Sequence, residues 1–348
     1  MKRRGPTLQN TYSQRGFSIV ELMVAAAVSL VLMAGVTHVY VGSKSTYRVQ
    51  EGLSRVQENG RFALELLGRK IRMAGYQGCA NPRLLTPSII IASPPPEAVF
   101  DLKTVVIGYD NVAAGNGFGS SGARPGTDVI EMRGASASGM ELDGNMATDN
   151  ANLQFTTNSE NIVAGDYLFI SDCETADIFQ ATSVSATSDG KITVAHANSS
   201  NTTNRLSKAY LADAFMLKQE FSTFYIMDTG RTNQTGAPIY SLYETDIKGV
   251  EREFISGIDD MQITYGLDTS PSPDSTAEVY RDAATITAAD AWQRVVSVRL
   301  ALLLSTPEDV GPEPVAYTDL SGTLISNPGD RRLRRRFVET VTIRSRAL

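Results

Sequence analysis

A run of 25 residues from Phe17 to Val41 carries no charge except that of Glu21, and it directly follows a cationic segment. As a helix, this run would measure about 37 Å at 1.5 Å per residue, which is enough to cross the hydrocarbon layer with some tilt. A charged side chain inside a membrane costs roughly 2.5–3.5 kcal/mol on insertion scales, so Glu21 requires a partner. The sequence therefore predicts a membrane anchor with a functional acid near one end.

The residues before the anchor predict its orientation and its processing. Cationic residues near the start of a span stay in the cytoplasm, and here they are Lys2, Arg3, Arg4 and Arg15. Everything after Val41 should then lie across the membrane. A secretory signal carries its cleavage site after the apolar core, whereas the plausible site here, Gly16, comes before it. Cleavage at Gly16 would remove residues 1–16 as a leader and keep the anchor.

The helix is expected to continue beyond the membrane, over residues 42–74. Its apolar residues recur mostly at steps of three to five, as in an amphipathic helix: Tyr47, Val49, Leu53, Val56, Phe62, Leu66, Leu67 and Ile71. Gly75 is placed to cap it. Glycines within the segment weaken a helix by up to ~1 kcal/mol each, so this half should depend on packing against a globular domain. A coiled coil is the alternative, but strict heptads are absent.

Residues 75–348 predict a β-rich globular domain. Clusters of Gly, Pro, Asn, Asp and Ser separate short β-favouring runs, which are the expected strands: 88–92, 103–107, 128–132, 167–170, 192–195, 221–227, 261–265, 295–304 and 337–343. The predicted fold class is α+β: one long amino-terminal helix, membrane-spanning in its first half (17–41), packed on a β-rich carboxyl-terminal head. A head of this length is enough for one large domain or two small ones.

Two cysteines, Cys79 and Cys173, both lie beyond the anchor. An oxidising compartment across the membrane would favour a disulfide between them, which would tie the end of the helix to the head. Two unpaired buried thiols are the alternative. A zinc site is not expected, because two cysteines with His38 and His196 fall short of a four-ligand set when His38 belongs to the anchor.

The junction itself carries a resemblance to a known class of signals. Gly16-Phe17, followed by Glu21, Leu22, Met23 and Val24, resembles the class III signal of type IV prepilins and type II secretion pseudopilins. The resemblance implies that a prepilin peptidase cuts after Gly16 and methylates the new amino terminus at Phe17. It also implies that Glu21 pairs with the amino-terminal ammonium of a neighbouring subunit during assembly, since a buried charge is tolerable when it is paired.

Further segments resemble the PilW-type minor pilins. They are Arg61-Phe62-Ala63, 72–79, 126–130, Ser171-Asp172-Cys173, 296–300 and the arginine-containing terminal strand. The resemblance implies a lollipop-shaped minor pilin, held in the inner membrane with a periplasmic head and later part of the pilus, at its tip. The implied partners are prepilin peptidase, other minor pilins, the major pilin and a possible tip adhesin, in a complex that starts pilus assembly and supports adhesion or twitching motility.

Two other functions remain open at this point. A J-type pseudopilin of a type II secretion system would share Gly16, Phe17 and Glu21, although such pseudopilins usually have a much smaller head. A membrane-tethered periplasmic binding domain would keep its leader.

Charge and motif content narrow the remaining classes of function. Loss of the leader removes four basic and no acidic residues, which takes the formal net charge from −6 to −10 and argues against binding nucleic acid. A local basic cluster could dock on an acidic partner or simply protect a strand edge: Arg331, Arg332, Arg334, Arg335 and Arg336. No catalytic motif is present, so we expect no catalytic residues, no metal, no cofactor and no enzymatic activity.

Overall fold

The computed structural model describes residues 16–80, 85–92, 97–186 and 190–346. Most of the expected leader, residues 1–15, lies outside the described residues. The chain divides into two compact units, Met1–Glu51 and Gly52–Leu348. The α+β class is confirmed, with one long amino-terminal helix followed by a β-rich domain.

Helix α1 runs from Ile19 to Met73, close to the expected bounds. The Ser18 hydroxyl accepts a hydrogen bond from the Val20 amide at 3.3 Å, as an N-cap residue does. At the other end, Gly75 takes a left-handed conformation with φ +74°, and its amide donates to the Arg133 carbonyl at 2.6 Å. A side chain at this position would collide with Val105 and Ser345, so glycine is required both for the turn and for the close approach.

The strands of the described chain fall into four sheets. In chain order they are β1 (Ser88–Ile89), β2 (Val106–Tyr109), β3 (Val129–Ala135), β4 (Met140–Glu141), β5 (Leu153–Phe155), β6 (Tyr167–Ser171), β7 (Ala176–Gln180), β8 (Ser183–Ala186), β9 (Ile192–Ala195), β10 (Phe215–Thr232), β11 (Pro238–Asp246), β12 (Glu251–Ser256), β13 (Ile258–Leu267), β14 (Val279–Arg281), β15 (Val295–Ser305), β16 (Tyr317–Thr318), β17 (Leu324–Ile325) and β18 (Arg334–Thr342). A short helix, α2 (Ala283–Ala288), and 3₁₀ turns at Glu97–Phe100, Trp292–Arg294 and Arg344–Arg346 complete the elements.

The long strand β10 organises the largest sheet. The main path is β1-β7-β6-β10-β11-β12, and β10 also pairs with β3 and β4, while β2 pairs with β3. Its first residues lie antiparallel to β6 and β4, its middle to β3, and its second half to β11. A second sheet has the antiparallel order β14-β13-β15-β18, and two small sheets are β5-β9-β8 and β16-β17.

The outer half of α1 packs into the main hydrophobic core with the β13–β15–β18 sheet and part of β10–β12. Its buried positions are Val56, Gly60, Ala63, Leu67, Gly68 and Ile71. The prediction of the buried face was wrong at two residues: Tyr47 is 64% exposed and Phe62 is 54% exposed. Small residues set the contact: at Gly60 an added Cβ would lie 2.5 Å from the Phe337 ring of β18. Hydrophobicity-based periodicity gives such positions little weight, although they allow the closest approach.

Candidate functional site

The amino-terminal segment presents an apolar surface that the described residues leave uncovered. Phe17 is 84% exposed, and side chains along the expected anchor are exposed as well. The helix is long and apolar enough to cross a membrane by length and composition. Apolar surface of this extent favours lipid or neighbouring apolar helices over water.

Glu21 lies in the first turn of α1, four residues after Phe17. Its side chain is exposed and forms no ion pair with any residue that the structure describes. The positive end of the helix dipole favours an acid in this turn, by typically 0.3–1 kcal/mol at an exposed position. That gain is smaller than the cost of an intramembrane charge, so the geometry leaves a carboxylate that a cation from another chain could neutralise. The cleavage and methylation assigned to Gly16 and Phe17 stay predictions.

The disulfide between Cys79 and Cys173 is confirmed, with a Cα–Cα distance of 5.4 Å across a separation of 94 residues. It joins the segment after α1 to the turn between β6 and β7. The conformation of this turn is held locally: the Ser171 hydroxyl accepts a hydrogen bond from the Cys173 amide, and Cys173 has a positive φ of 75°. The bond therefore links the end of the long helix to the largest sheet, as expected.

The arginine cluster does not form one exposed patch. Arg332 is buried, where its Nη2 lies 3.1 Å from Asp259 Oδ1 and its Nε donates to the Thr306 carbonyl. Arg334 forms a bidentate pair with Asp330 at 2.8 and 2.6 Å. Burial opposes ionisation of Asp330, but the bonds from Arg334 outweigh it and lower the pKa of that carboxyl.

These two arginines are therefore internal structural groups, which corrects their assignment to a docking surface. The physical reason is that β18 and the residues just before it lie beside two acids, Asp259 of β13 and Asp330 of the loop that precedes β18. Arg331, Arg335 and Arg336 remain exposed, and a docking role for these three stays a prediction.

Several acids of the head form ion pairs within the fold. Asp143 pairs with Lys191 and Asp149 with Arg205, while Asp259 pairs with Arg332. The separate acidic group Asp268, Asp274 and Glu278 was missed in the sequence, and its ligand-type oxygens lie within 4.8 Å of one another. Asp268 accepts amide hydrogen bonds from the loop 270–275, so this group organises a turn.

The one histidine of the head, His196, is also structural. It is buried beside Phe179, and its Nε2 lies 3.0 Å from the Ala151 carbonyl oxygen. No nucleophile or acid accompanies it in the hydrogen bonds of the described chain.

A buried carboxyl, Asp128, is the most perturbed acid that sequence reasoning did not find. Burial raises its pKa to about 7, although the amides of Asn111 and Ile263 donate to it at 2.8 and 2.7 Å and favour the charged form. The nearby acids Asp110 and Asp260 add to the upward shift. Its role is to join the β2–β3 connection to β13, because each of its oxygens serves a different segment.

Two family models match the chain. The prokaryotic N-terminal methylation motif matches residues 12–37, and the type IV pilus-assembly protein W model matches residues 223–345. No curated protein and no solved structure matches the chain.

The second match covers the chain from the middle of β10 to the last 3₁₀ turn, and so includes the sheet against which α1 packs and the arginine-rich strand. Both cysteines and the first half of the large sheet lie outside it. The methylation-type signal on an apolar helix at one end and the PilW-type sheet at the other together support a PilW-like minor pilin of the type IV pilus.

Proposed function

We propose that this minor pilin joins other minor pilins and the major pilin in a complex that primes pilus assembly and stays at the tip, where it supports adhesion and twitching motility. The observation that carries the proposal is the exposed apolar segment of α1 with the single acid Glu21, which has no ion-pair partner in the described chain. The charge of Glu21 is costly for an isolated subunit in a membrane, and this cost is relieved when the apolar helices of several subunits pack together and supply a cationic partner.

The maturation step belongs to the same proposal. Prepilin peptidase cuts after Gly16, and Phe17 becomes the methylated amino terminus. The new ammonium of one subunit then pairs with Glu21 of its neighbour. In this scheme the protein is a substrate of an enzyme and has no catalytic activity of its own.

The alternative function is that of a J-type pseudopilin in a type II secretion system. It would use the same signal and the same acid. The large head, residues 75–348, favours the pilus, as does the match of the carboxyl-terminal third of the chain to a pilus-assembly family. An unprocessed periplasmic binding domain is the third possibility, and the intact mass of the mature protein distinguishes it.

The first experiment is deletion of the gene in its host. Sheared surface pili and twitching are compared with secretion of type II substrates. Loss of pili with normal secretion supports the proposal, whereas intact pili with failed secretion assigns the protein to the secretion system.

Charge pairing is tested by complementing that deletion with three variants. Glu21→Gln should insert in the membrane and be processed, yet fail to restore pili, because the carboxylate is missing. Glu21→Asp keeps the charge and should restore pili at least in part. Glu58→Gln, an exposed acid on the same helix outside the apolar run, is the matched control and should behave as the unmodified protein. Normal piliation with Glu21→Gln contradicts the pairing scheme.

A further inference from the structure

A pocket of about 610 Å³ lies at the carboxyl end of α1. Its wall comes from three segments that are far apart in the sequence: the end of α1 with the turn at 75–80, Ala137 after β3, and the final 3₁₀ turn with Arg344 and Ser345. All of these residues belong to the unit that begins at Gly52.

Gln77 gives this pocket an unused donor. The residue lines the pocket and is 2% exposed, and its Nε2 has no hydrogen-bond partner among the residues that the structure describes. A buried polar group left without a partner costs about 1–3 kcal/mol. That nitrogen is covered by its neighbours, so an acceptor in the pocket recovers this energy only when the Gln77 side chain turns toward it.

Two arginines line the same pocket. Arg72 comes from the last turn of α1 and Arg344 from the final 3₁₀ turn, and both side chains are exposed. Neither forms an ion pair with the residues that the structure describes. A guanidinium presents a planar set of donors that matches a carboxylate, and hydrogen bonds between such charged groups are among the strong ones in proteins.

The acceptors at the end of the helix are already used within the fold. The Ala74 carbonyl accepts from the Ser345 hydroxyl at 2.7 Å, and the Met73 carbonyl accepts from the Tyr76 amide at 3.0 Å. The helix dipole favours a cation such as Arg72 in this turn, but it does not account for Arg344, which is outside the helix. The pocket therefore has donors and positive charge in excess of acceptors.

We propose that this pocket binds a carboxylate side chain carried by an acidic peptide segment of another pilin subunit; the choice of a pilin as the partner rests on the function proposed above. The size of the pocket favours a peptide chain over a free anion, because a single water takes about 30 Å³ of liquid volume and a carboxylate is only a few times larger. Arg72 and Arg344 hold the carboxylate, and Gln77 donates a further hydrogen bond.

The test is a binding titration with the mature full-length protein in detergent micelles. The probe is a fluorescently labelled, amidated Asp-Glu-Asp-Glu peptide, and the neutral peptide Asn-Gln-Asn-Gln is its matched control. The acidic peptide should bind and the neutral peptide should not. Arg344→Ala and Gln77→Leu should each weaken binding about tenfold or more, since hydrogen bonds to charged groups are worth about 1.5–3 kcal/mol.

A matched arginine outside the pocket controls for general charge. Arg281→Ala removes an exposed arginine of β14 and should leave the affinity unchanged. Arg344→Lys keeps the charge and should recover part of the affinity. Unfolding of each variant, followed by the fluorescence of Trp292, separates lost binding from lost folding.

Three results would overturn the proposal. They are equal binding of the two peptides, an equal loss with Arg281→Ala and Arg344→Ala, and binding of acetate or inorganic phosphate without binding of the acidic peptide. Piliation of the Arg72→Ala/Arg344→Ala variant then tests the partner. Processed protein with few pili supports a pilin partner, and full piliation refutes it. Deletion of the gene tests the proposed function separately, because a deletion strain with normal pili contradicts that function whatever the peptide result.

Discussion

Replacement of Gly60 by alanine tests whether α1 is held by close packing against β18. In a solvent-exposed helix this change would stabilise the protein by about 0.8–1.0 kcal/mol, because glycine is the poorer helix former. Here the new Cβ would lie 2.5 Å from Cε2 and Cζ of Phe337. The ring must therefore move away from the helix.

The expected cost follows from what the ring loses. Phe337 packs against the main core while partly buried, and overpacking of a well-packed site typically costs 1–3 kcal/mol. After subtraction of the gain in helix propensity, Gly60→Ala should lower the free energy of unfolding by about 1 kcal/mol. Gly68→Ala is the matched control on the same face. Its Cβ would meet its nearest neighbours, on Glu339 and Val341, at 3.5 Å, an ordinary contact distance. Gly68→Ala should therefore raise stability by up to about 1 kcal/mol.

The assay is denaturant unfolding of the mature protein in a mild detergent, followed by tryptophan fluorescence. Trp292 is the single tryptophan of the chain, is 8% exposed, and belongs to the same core as the buried face of α1. Its ring contacts that of Tyr265 edge-on, with centroids 4.9 Å apart, so loss of this core should change its emission. Equal stability of Gly60→Ala and Gly68→Ala would refute the close-packing argument. A Phe337→Leu background, which shortens the opposing side chain, should remove most of the cost of Gly60→Ala.

Three further predictions concern the head. Cys79→Ser/Cys173→Ser opens a loop of 94 residues and should lower the free energy of unfolding by up to about 4–5 kcal/mol in the chain-entropy model. The measurement is denaturant unfolding. The unmodified protein in its reduced form should be as stable as the double variant. Arg332→Ala removes one half of a buried ion pair and should cost roughly 3–5 kcal/mol, whereas exposed Arg335→Ala should change stability by less than about 0.5 kcal/mol; similar effects would contradict the division of the cluster. Burial raises the pKa of Asp128 to about 7, from about 3.9 in an unfolded chain. Protonation of Asp128 therefore stabilises the fold. This stabilisation is complete below pH 4 and is lost as the pH rises through 7, at no more than about 1.4 kcal/mol per pH unit. Asp128→Asn should flatten this part of the stability profile, and an unchanged slope would show that another group is responsible.

The sequence located the positions of many elements of the head. Expected strands at residues 128–132, 167–170, 192–195, 295–304 and 337–343 correspond to β3, β6, β9, β15 and β18. β11 and β12 were missed because they carry many polar residues, among them Glu244 and Glu251, and are stabilised by pairing along β10. Strand propensity is a weak signal when a neighbouring strand supplies the hydrogen bonds.

The candidate site divides in the same way. Gly16, Phe17 and Glu21 could be singled out because a signal, an apolar span and an intramembrane acid are all defined by neighbours in the sequence. Arg72, Gln77 and Arg344 could not, since their common pocket forms only when the end of α1 meets the last turn of the chain. The two internal arginines, Arg332 and Arg334, looked like surface residues for the same reason.

The sequence by itself determined the amino-terminal helix with its membrane-compatible length, the α+β class and the pair of cysteines that could join. These properties depend on local hydrophobicity, local charge and residue type, which need no knowledge of distant contacts. Only the tertiary structure decided which face of the outer helix is buried, which arginines are neutralised internally and where unused donors collect. Those outcomes depend on strands and turns that lie more than a hundred residues apart in the chain and are brought together by sheet pairing and close packing, as Gly60 against Phe337 illustrates.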